Sequence, residues 1–310
     1  MITRRLLLLA ALAGALLAGC GGSGSDDDGG GRLSDELLVG SAGNGRILRF
    51  DAATGSYRGV FVQGVTDLTA PEGIAQLTNG NVAVGDFVSK KVFIFSPDGF
   101  QVQQIGPLEG RPYTLLAMDD GGFLVSEFDS APKGRIQRWH PTTGLTTFIE
   151  GGELDGPDGM VIRENDLFVA SQRNGKVLRY GLNGQFKSVF AQGGGLLEGN
   201  NAGPSGIVFG PGGDLYVTQH DNDPNTTKGG NVLRFDGITG APEGVFIPGG
   251  RGGLSGPIGI LTTTGSRFLV TSAETNQVIQ YQFNGELIGP FASGNGLQTP
   301  IYIAFRTVRG

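Results

Sequence analysis

The 310-residue chain has a single cysteine, a single tryptophan, two histidines and three methionines, and only 17% of it is charged. One cysteine excludes any internal disulfide and any cysteine-based metal site. Two histidines leave little for histidine-rich metal binding or for a histidine-based triad. After residue 40 no stretch of ten or more residues carries the 3.6-residue apolar period of an amphipathic helix, which excludes helical bundles and helix-crossed parallel sheets. No G-x-S-x-G elbow, no H-E-x-x-H and no strand-to-helix phosphate loop occurs. What the chain has in excess is glycine, 57 residues of it. The glycines punctuate short apolar runs, the pattern of many strands joined by tight turns, so the fold class is all-β.

The first twenty residues, "MITRRLLLLAALAGALLAGC", stand apart. A basic start at Arg4 and Arg5, a short apolar run and small residues before Cys20 describe a secretory signal, too short to span a bilayer. Leu17-Ala18-Gly19-Cys20 resembles the bacterial lipoprotein lipobox. The resemblance implies cleavage after residue 19 and lipidation of Cys20, with more than one acyl chain for a stable anchor. Gly21 is not the aspartate that resembles an inner-membrane retention signal, so the expected location is the cell envelope, at the outer membrane. Residues 20–32 continue as "CGGSGSDDDGGGR", a glycine, serine and aspartate tether with no apolar side chain to bury. Loss of Arg4 and Arg5 leaves 21 of 23 basic residues against 29 acidic ones, a mature net charge of −8. Such a surface repels nucleic acid, and none is expected as a partner.

Residues 33–310 carry a sixfold repeat. "ELLV", "NVAV", "GFLV", "DLFV", "DLYV" and "RFLV" end in valines spaced 45, 41, 44, 48 and 53 residues apart. A second series opens on proline ("PEGIA", "PYTLLA", "PDGMV", "PSGIV", "PIGIL", "PIYIA"), and a third reads "GRILRF", "KKVFIF", "GRIQRW", "GKVLRY", "NVLRF", "QVIQY". With a run such as "GVFI" as the fourth member, each unit is four antiparallel strands a–d, the blade of a six-bladed β-propeller. The chain starts on a strand b near residue 36 and ends on a strand a from residue 300. The C-terminal strand is therefore expected to pair into the N-terminal blade and close the ring. The expected state is a monomer.

The a–b and c–d turns are short, and the d–a and b–c connections are long, so the long-loop face is the expected working face. There the residue after each proline forms an inner ring: Glu72, Tyr113, Asp158, Ser205, Ile258 and Ile301. Glycine follows it at 73, 159, 206 and 259, consistent with crowding near the axis. Two residues past each valine lies an outer ring: Ser41, Asp86, Glu127, Ser171, Gln219 and Ser272. His220 sits one residue past that register and opens "HDNDPN". Its Asp221 and Asp223 stand where a calcium loop would begin, but Thr226 and Val232 replace the glycine and glutamate such a loop needs. His140 precedes a tight turn on the opposite face and reads as structural. The strand-c arginines Arg49, Arg138, Arg179 and Arg234 are expected to lay their stems over neighbouring blades with their heads paired or solvated.

The P-x-G-I…G-x-L-Y-V…V-x-R-F-D…G pattern, clearest over 204–240, resembles the NHL-repeat propellers and the senescence-marker-protein and gluconolactonase-like superfamily. The gluconolactonase-like resemblance implies one divalent cation, calcium foremost, held at the channel mouth by Glu72 and Asp158. It also implies a metal-dependent lactonase as one candidate activity. Tyr113 and Ser205 stand where the family pattern has asparagine, and Ile258 and Ile301 offer no ligand. The G-P-x-G-I strands also resemble virginiamycin B lyases, whose histidine and glutamate chemistry makes His220 and Glu127 candidate catalytic residues. The leading expectation is a ligand- or protein-binding and scaffolding module acting through the long-loop face.

Overall fold

The computed structural model describes residues 34–62, 67–131, 133–199, 202–221 and 229–308. Cys20, the signal, the tether and Asp223 lie outside them. The strands form six four-stranded antiparallel sheets arranged as the blades of a propeller. Blade 1 takes strand a from Pro300–Val308 and strands b, c and d from Ser34–Ser41, Arg46–Asp51 and Tyr57–Val60. Blade 2 runs through Pro71–Gln76, Val82–Asp86, Lys91–Phe95 and Gln101–Ile105. Blade 3 comprises Pro112–Ala117, Phe123–Glu127, Arg135–His140 and Gly144–Glu150. In blade 4 the strands are Pro157–Arg163, Asp166–Ser171, Lys176–Gly181 and Phe186–Gln192. Blade 5 has Pro204–Phe209, Leu215–Gln219, Asn231–Phe235 and Pro242–Ile247. Blade 6 has Pro257–Thr262, Arg267–Ser272, Gln277–Gln282 and Leu287–Ser293. Every strand a begins on the proline that the repeat singles out.

The continuous apolar runs of strand b follow from the way blades stack. In blade 4, Leu167 and Val169 pack toward blade 3, while Phe168 and Ala170 pack toward blade 5. Both faces of the strand are covered, so the polar half of the usual alternation is absent. The same arrangement between each pair of neighbours gives six apolar wedges rather than one central core. These wedges fix the ring order 1 to 6 and place blade 1 opposite blade 4. Strand d, with neighbours on one side only, carries exposed apolar residues such as Val102, Val245 and Ile288.

The ring closes where the two ends of the propeller meet. Strand a of blade 1 pairs with strand b from Ser34↔Val308 to Ser41↔Pro300. Arg306, 3% exposed, donates from Nε and Nη2 to Glu36 Oε2 at 2.9 and 2.7 Å. Its Nη1 donates to Pro97 O of blade 2 at 2.7 Å, and its guanidinium lies 4.5 Å from the Phe61 ring centroid. One arginine thus ties the last strand to the first and to the next blade.

The heads of the strand-c arginines are paired, as expected, and with acids of their own blades. Arg138, Arg179 and Arg234 pair within their own blades with Asp120, Asp166 and Asp214, and Arg49 reaches Glu36 at 3.8 Å. An acid at or just before the start of strand b lies within reach of the arginine on the neighbouring strand c, so the heads stay in the blade. His140 is structural as expected, its Nδ1 lying 2.8 Å from Thr142 Oγ1.

Candidate functional site

The inner ring is built by a backbone device repeated in every blade. Strand a pairs with strand b at the proline, then slips by one residue: Pro71 faces Asp86 but Ile74 faces Val84. The same shift occurs in the other five blades. Two residues after the proline therefore oppose one on strand b, a β-bulge of the kind that re-aims a side chain. The first of the two is the inner-ring residue. The second is glycine in four blades because a Cβ has no room: at Gly159 it would lie 2.2 Å from Ser205 O, and at Gly206 the same distance from Ile258 O.

All six inner-ring residues line one cavity of about 410 Å³ at the mouth of the channel. Glu72 and Asp158 are buried, 8% and 1% exposed. Asp158 accepts from the Tyr302 hydroxyl at Oδ1 and from Gln172 Nε2 at Oδ2, 3.1 Å away. Gln172 Nε2 also reaches Ser205 Oγ at 3.1 Å. Glu72 Oε2 is buried and has no hydrogen-bond partner. Burial, and next the charge of Asp158, hold the Glu72 carboxyl well above the usual carboxylate range, against the opposing pull of Arg111. Burial also raises Asp158 to about 7, although bonds from Tyr302 and Ser205 oppose it. The phenol of Tyr302 is pushed up by burial and by Asp158. Burial makes the ionised form of both acids costly.

Tyr302 was not legible as a site residue. It occupies in blade 1 the position that is glycine in four other blades, and it fills the axial space those glycines leave. Its bond to Asp158 joins blade 1 to blade 4 across the channel and closes the floor of the cavity.

The outer ring does different work. Each member is nearly sealed from solvent and accepts a backbone N–H from the connection that leads into strand a of its own blade. Ser41 Oγ takes Gln298 N at 2.8 Å, Ser171 Oγ takes Asp155 N at 2.8 Å and Ser272 Oγ takes Ser255 N at 2.9 Å. Asp86 Oδ2 accepts Thr69 N and Ala70 N at 2.7 and 2.6 Å, and Gln219 Oε1 accepts Leu197 N at 2.6 Å. Glu127 Oε2 takes Gly110 N at 2.7 Å, and its other oxygen accepts the Gln137 amide. Bound in this way, Glu127 does not reach the cavity, and the structure does not bring it together with His220. Six different side chains perform one task, pinning the long connections to the blades.

The residue one position further is the one that turns to the mouth. In chain order this register holds Ala42, Phe87, Phe128, Gln172, His220 and Ala273, and the middle four line the cavity. His220 is thus the blade-5 member of a ring, not an isolated histidine. Its Nε2 lies 3.4 Å from Glu274 Oε1. The shared "DF" and "EF" at 86–87 and 127–128 were the available signal for Phe87 and Phe128.

On blades 2 to 4 the wall is a column of stacked groups. Arg111 lies 4.4 Å from the Phe87 centroid, Phe87 is 5.7 Å from Tyr113, Tyr113 stacks on Phe128 at 4.6 Å, and Arg173 lies 4.4 Å from Phe128. Both arginines are also paired with acids, Arg111 with Asp129 at 2.7 Å and Arg173 with Asp155 at 3.7 Å. On blades 6 and 1 the wall is apolar, with Ile258 and Ile301 packed beside Tyr302, Ala42 and Ala273.

The fit to a divalent cation is limited. Glu72 Oε2 has the character of a ligand atom, buried and unpartnered. Against it, both Asp158 oxygens already accept from donors, and calcium needs six to eight oxygens. Among the described residues, the acids close enough together to hold a metal as a group of three are Asp214, Asp236 and Glu243, on the tight-turn side. Arg234 sits among them, bonding Asp214 and, at 2.6 Å, Glu243, which makes that group an ion-pair network.

No protein-family model matches the sequence, and no curated protein does either. Solved structures match the fold. A chain of a nidogen/laminin complex superposes with a TM-score of 0.68 at 16% identity, over 88% of this chain and 98% of that one. A protein of unknown function from Bacteroides caccae gives 0.61 at 14% identity, over 88% and 99%. A streptogramin B lyase gives 0.58 at 16% identity, over 78% and 74%. These neighbours differ in function, and at such identities the likeness is one of fold: the chain is an all-β, six-bladed β-propeller whose structural neighbours include a chain of a nidogen/laminin complex and a lyase.

Proposed function

We propose that the protein is a lipid-anchored β-propeller of the bacterial cell envelope that binds a small ligand in the cavity at its channel mouth. The observation that carries the reading is Glu72: a carboxyl 8% exposed, with Oε2 unpartnered, facing a cavity of about 410 Å³. A buried polar atom without a partner costs about 1–3 kcal/mol and more when charged, a cost that a bound ligand removes. Pinning of the long connections by the outer ring supplies a rigid rim, and pockets of this size with a few convergent polar groups are ordinary ligand sites.

A fragment screen by ligand-observed NMR tests the reading. Ile258→Trp places an indole in the cavity from the apolar wall, away from the buried acids. Fragments that bind the parent are expected to lose binding in this variant. No hits, or hits that bind both proteins equally, would overturn the pocket reading.

The rival reading, a divalent-metal-dependent hydrolase of the lactonase type, draws on the same unpartnered oxygen. Added calcium would then raise the melting temperature of the parent by mass action, and neither Glu72→Ala nor Asp158→Ala would respond. Hydrolysis of a lactone by the parent would complete that case, and no calcium shift would end it.

The anchor is tested separately. Cys20→Ser is expected to move the protein from the membrane to the soluble fraction with an unchanged melting temperature, since residues 21–32 are a polar tether. Retention on membranes after a carbonate wash would contradict lipidation.

A further inference from the structure

Within that pocket reading, we infer that the ligand is a small organic cation, an amine whose ammonium group is received by Glu72 and Asp158 and whose hydrocarbon body lies against the aromatic and isoleucine walls. Charge favours a cation. Two carboxyls line one cavity, and Glu72 feels the charge of Asp158. The arginines at the mouth are paired with acids of their own, Arg111 with Asp129 and Arg173 with Asp155, and the pull of Arg111 on Glu72 is smaller than the opposing effect of Asp158. The remaining ionisable groups near the acids are Asp86, which adds negative charge, and the phenols of Tyr113 and Tyr302. His220 at the rim faces Glu274. A buried pair of carboxyls in such company is favourable only when protonated or when a cation joins it.

The walls decide which kind of cation. Calcium is held by oxygens, whereas this cavity, besides its acids and other polar groups, has an aromatic side of Phe87, Tyr113 and Phe128 and an apolar side of Ile258 and Ile301. Aromatic rings attract an organic ammonium group and cover its apolar body. An ammonium group has three donors and no acceptor, which suits a floor where Glu72 Oε2 lacks a donor. Asp158, whose two oxygens already accept from the Tyr302 hydroxyl and the Gln172 amide, contributes its charge to the site rather than an open oxygen. A carboxylate ligand would meet the same two acids and be repelled.

Calorimetric titration of the full-length protein in detergent tests this with phenethylamine and hexylamine against their uncharged counterparts, 2-phenylethanol and hexanol. Each amine is expected to bind at least tenfold more tightly than its alcohol at pH 8. Glu72→Gln should weaken the amines at least tenfold and leave the alcohols unchanged. Should that variant fail to fold, the amine-to-alcohol ratio on the parent decides alone. Equal binding of amine and alcohol, no binding of either amine at 10 mM, or amine affinity unaltered in a folded Glu72→Gln variant would overturn the inference. If the fragment screen yields Ile258→Trp-sensitive ligands and none is cationic, the pocket stands and the amine assignment falls.

Discussion

Arg306→Ala is expected to lower the melting temperature by roughly 6–20 °C, from a loss of about 3–5 kcal/mol at about 2–4 °C per kcal/mol for a domain of this size. The figure follows from what is left behind. Glu36 is 5% exposed, and the close partner on its carboxylate is the Arg306 fork; Arg49 and Arg58 stand off at 3.8 and 3.7 Å. Removing one member of a buried pair leaves an uncompensated charge, which costs far more than the pair itself contributes. The variant also releases Pro97 O and uncovers the Phe61 ring. Deleting residues 300–310 goes further. It takes away the inner strand of blade 1, with Ile301, Tyr302 and Ile303 from the core, and unpairs the inner edge of strand b along its length. That loss is comparable to the whole stability of an ordinary domain, about 5–15 kcal/mol. The truncated chain is expected to aggregate through the bared edge, as light scattering and a missing thermal transition would show. A truncated chain that melts like the parent would mean the ring does not close by this strand.

The second large effect is on pH. Asp158 has a folded-state pKa of about 7 against an ordinary value of 3.8. A carboxyl raised in the folded state binds its proton more tightly there than in the unfolded chain. Its contribution to stability is therefore full below about pH 4 and is lost as pH rises to about 7. The linkage amounts to about 4 kcal/mol across that window, at about 1.36 kcal/mol per unit. Glu72, also raised, acts in the same direction. Carboxyls that salt bridges and hydrogen bonds hold low, such as Asp129 and Asp166, have the opposite sign but act below pH 4. Guanidinium melts of the parent are expected to show stability falling between pH 5 and 7. In Asp158→Asn, which keeps an acceptor for the Tyr302 hydroxyl, the slope should become clearly shallower, with the remainder coming from Glu72. An equal slope in both proteins would contradict the placement of Asp158 at the buried floor.

The architecture was legible because the propeller repeats its constraints. A proline opens each strand a, a valine run fills both faces of strand b, and glycine follows where the next blade's backbone is within 3 Å of a Cβ. The inner ring followed from the same register. The outer ring was placed on the right face, but its task was hidden because serine, aspartate, glutamate and glutamine all serve as acceptors for the same backbone N–H. Glu127 illustrates the difficulty: its chemistry suggests catalysis, and its hydrogen bonds to Gly110 and Gln137 spend it on holding a loop. His220 lay one residue outside the register used, and that offset marked the ring facing the cavity. The bond from Tyr302 to Asp158 spans 144 residues and two opposite blades. No local pattern encodes such a contact.

The central claim, that the mouth cavity is the binding site, is tested most directly by a crystal structure of the protein soaked with the tightest fragment from the screen. Density is expected between the Phe87–Tyr113–Phe128 column and Ile258, with a polar atom of the fragment within hydrogen-bond distance of Glu72 Oε2. Density confined to the tight-turn face or the outer edges of the blades, with the mouth empty, would contradict it.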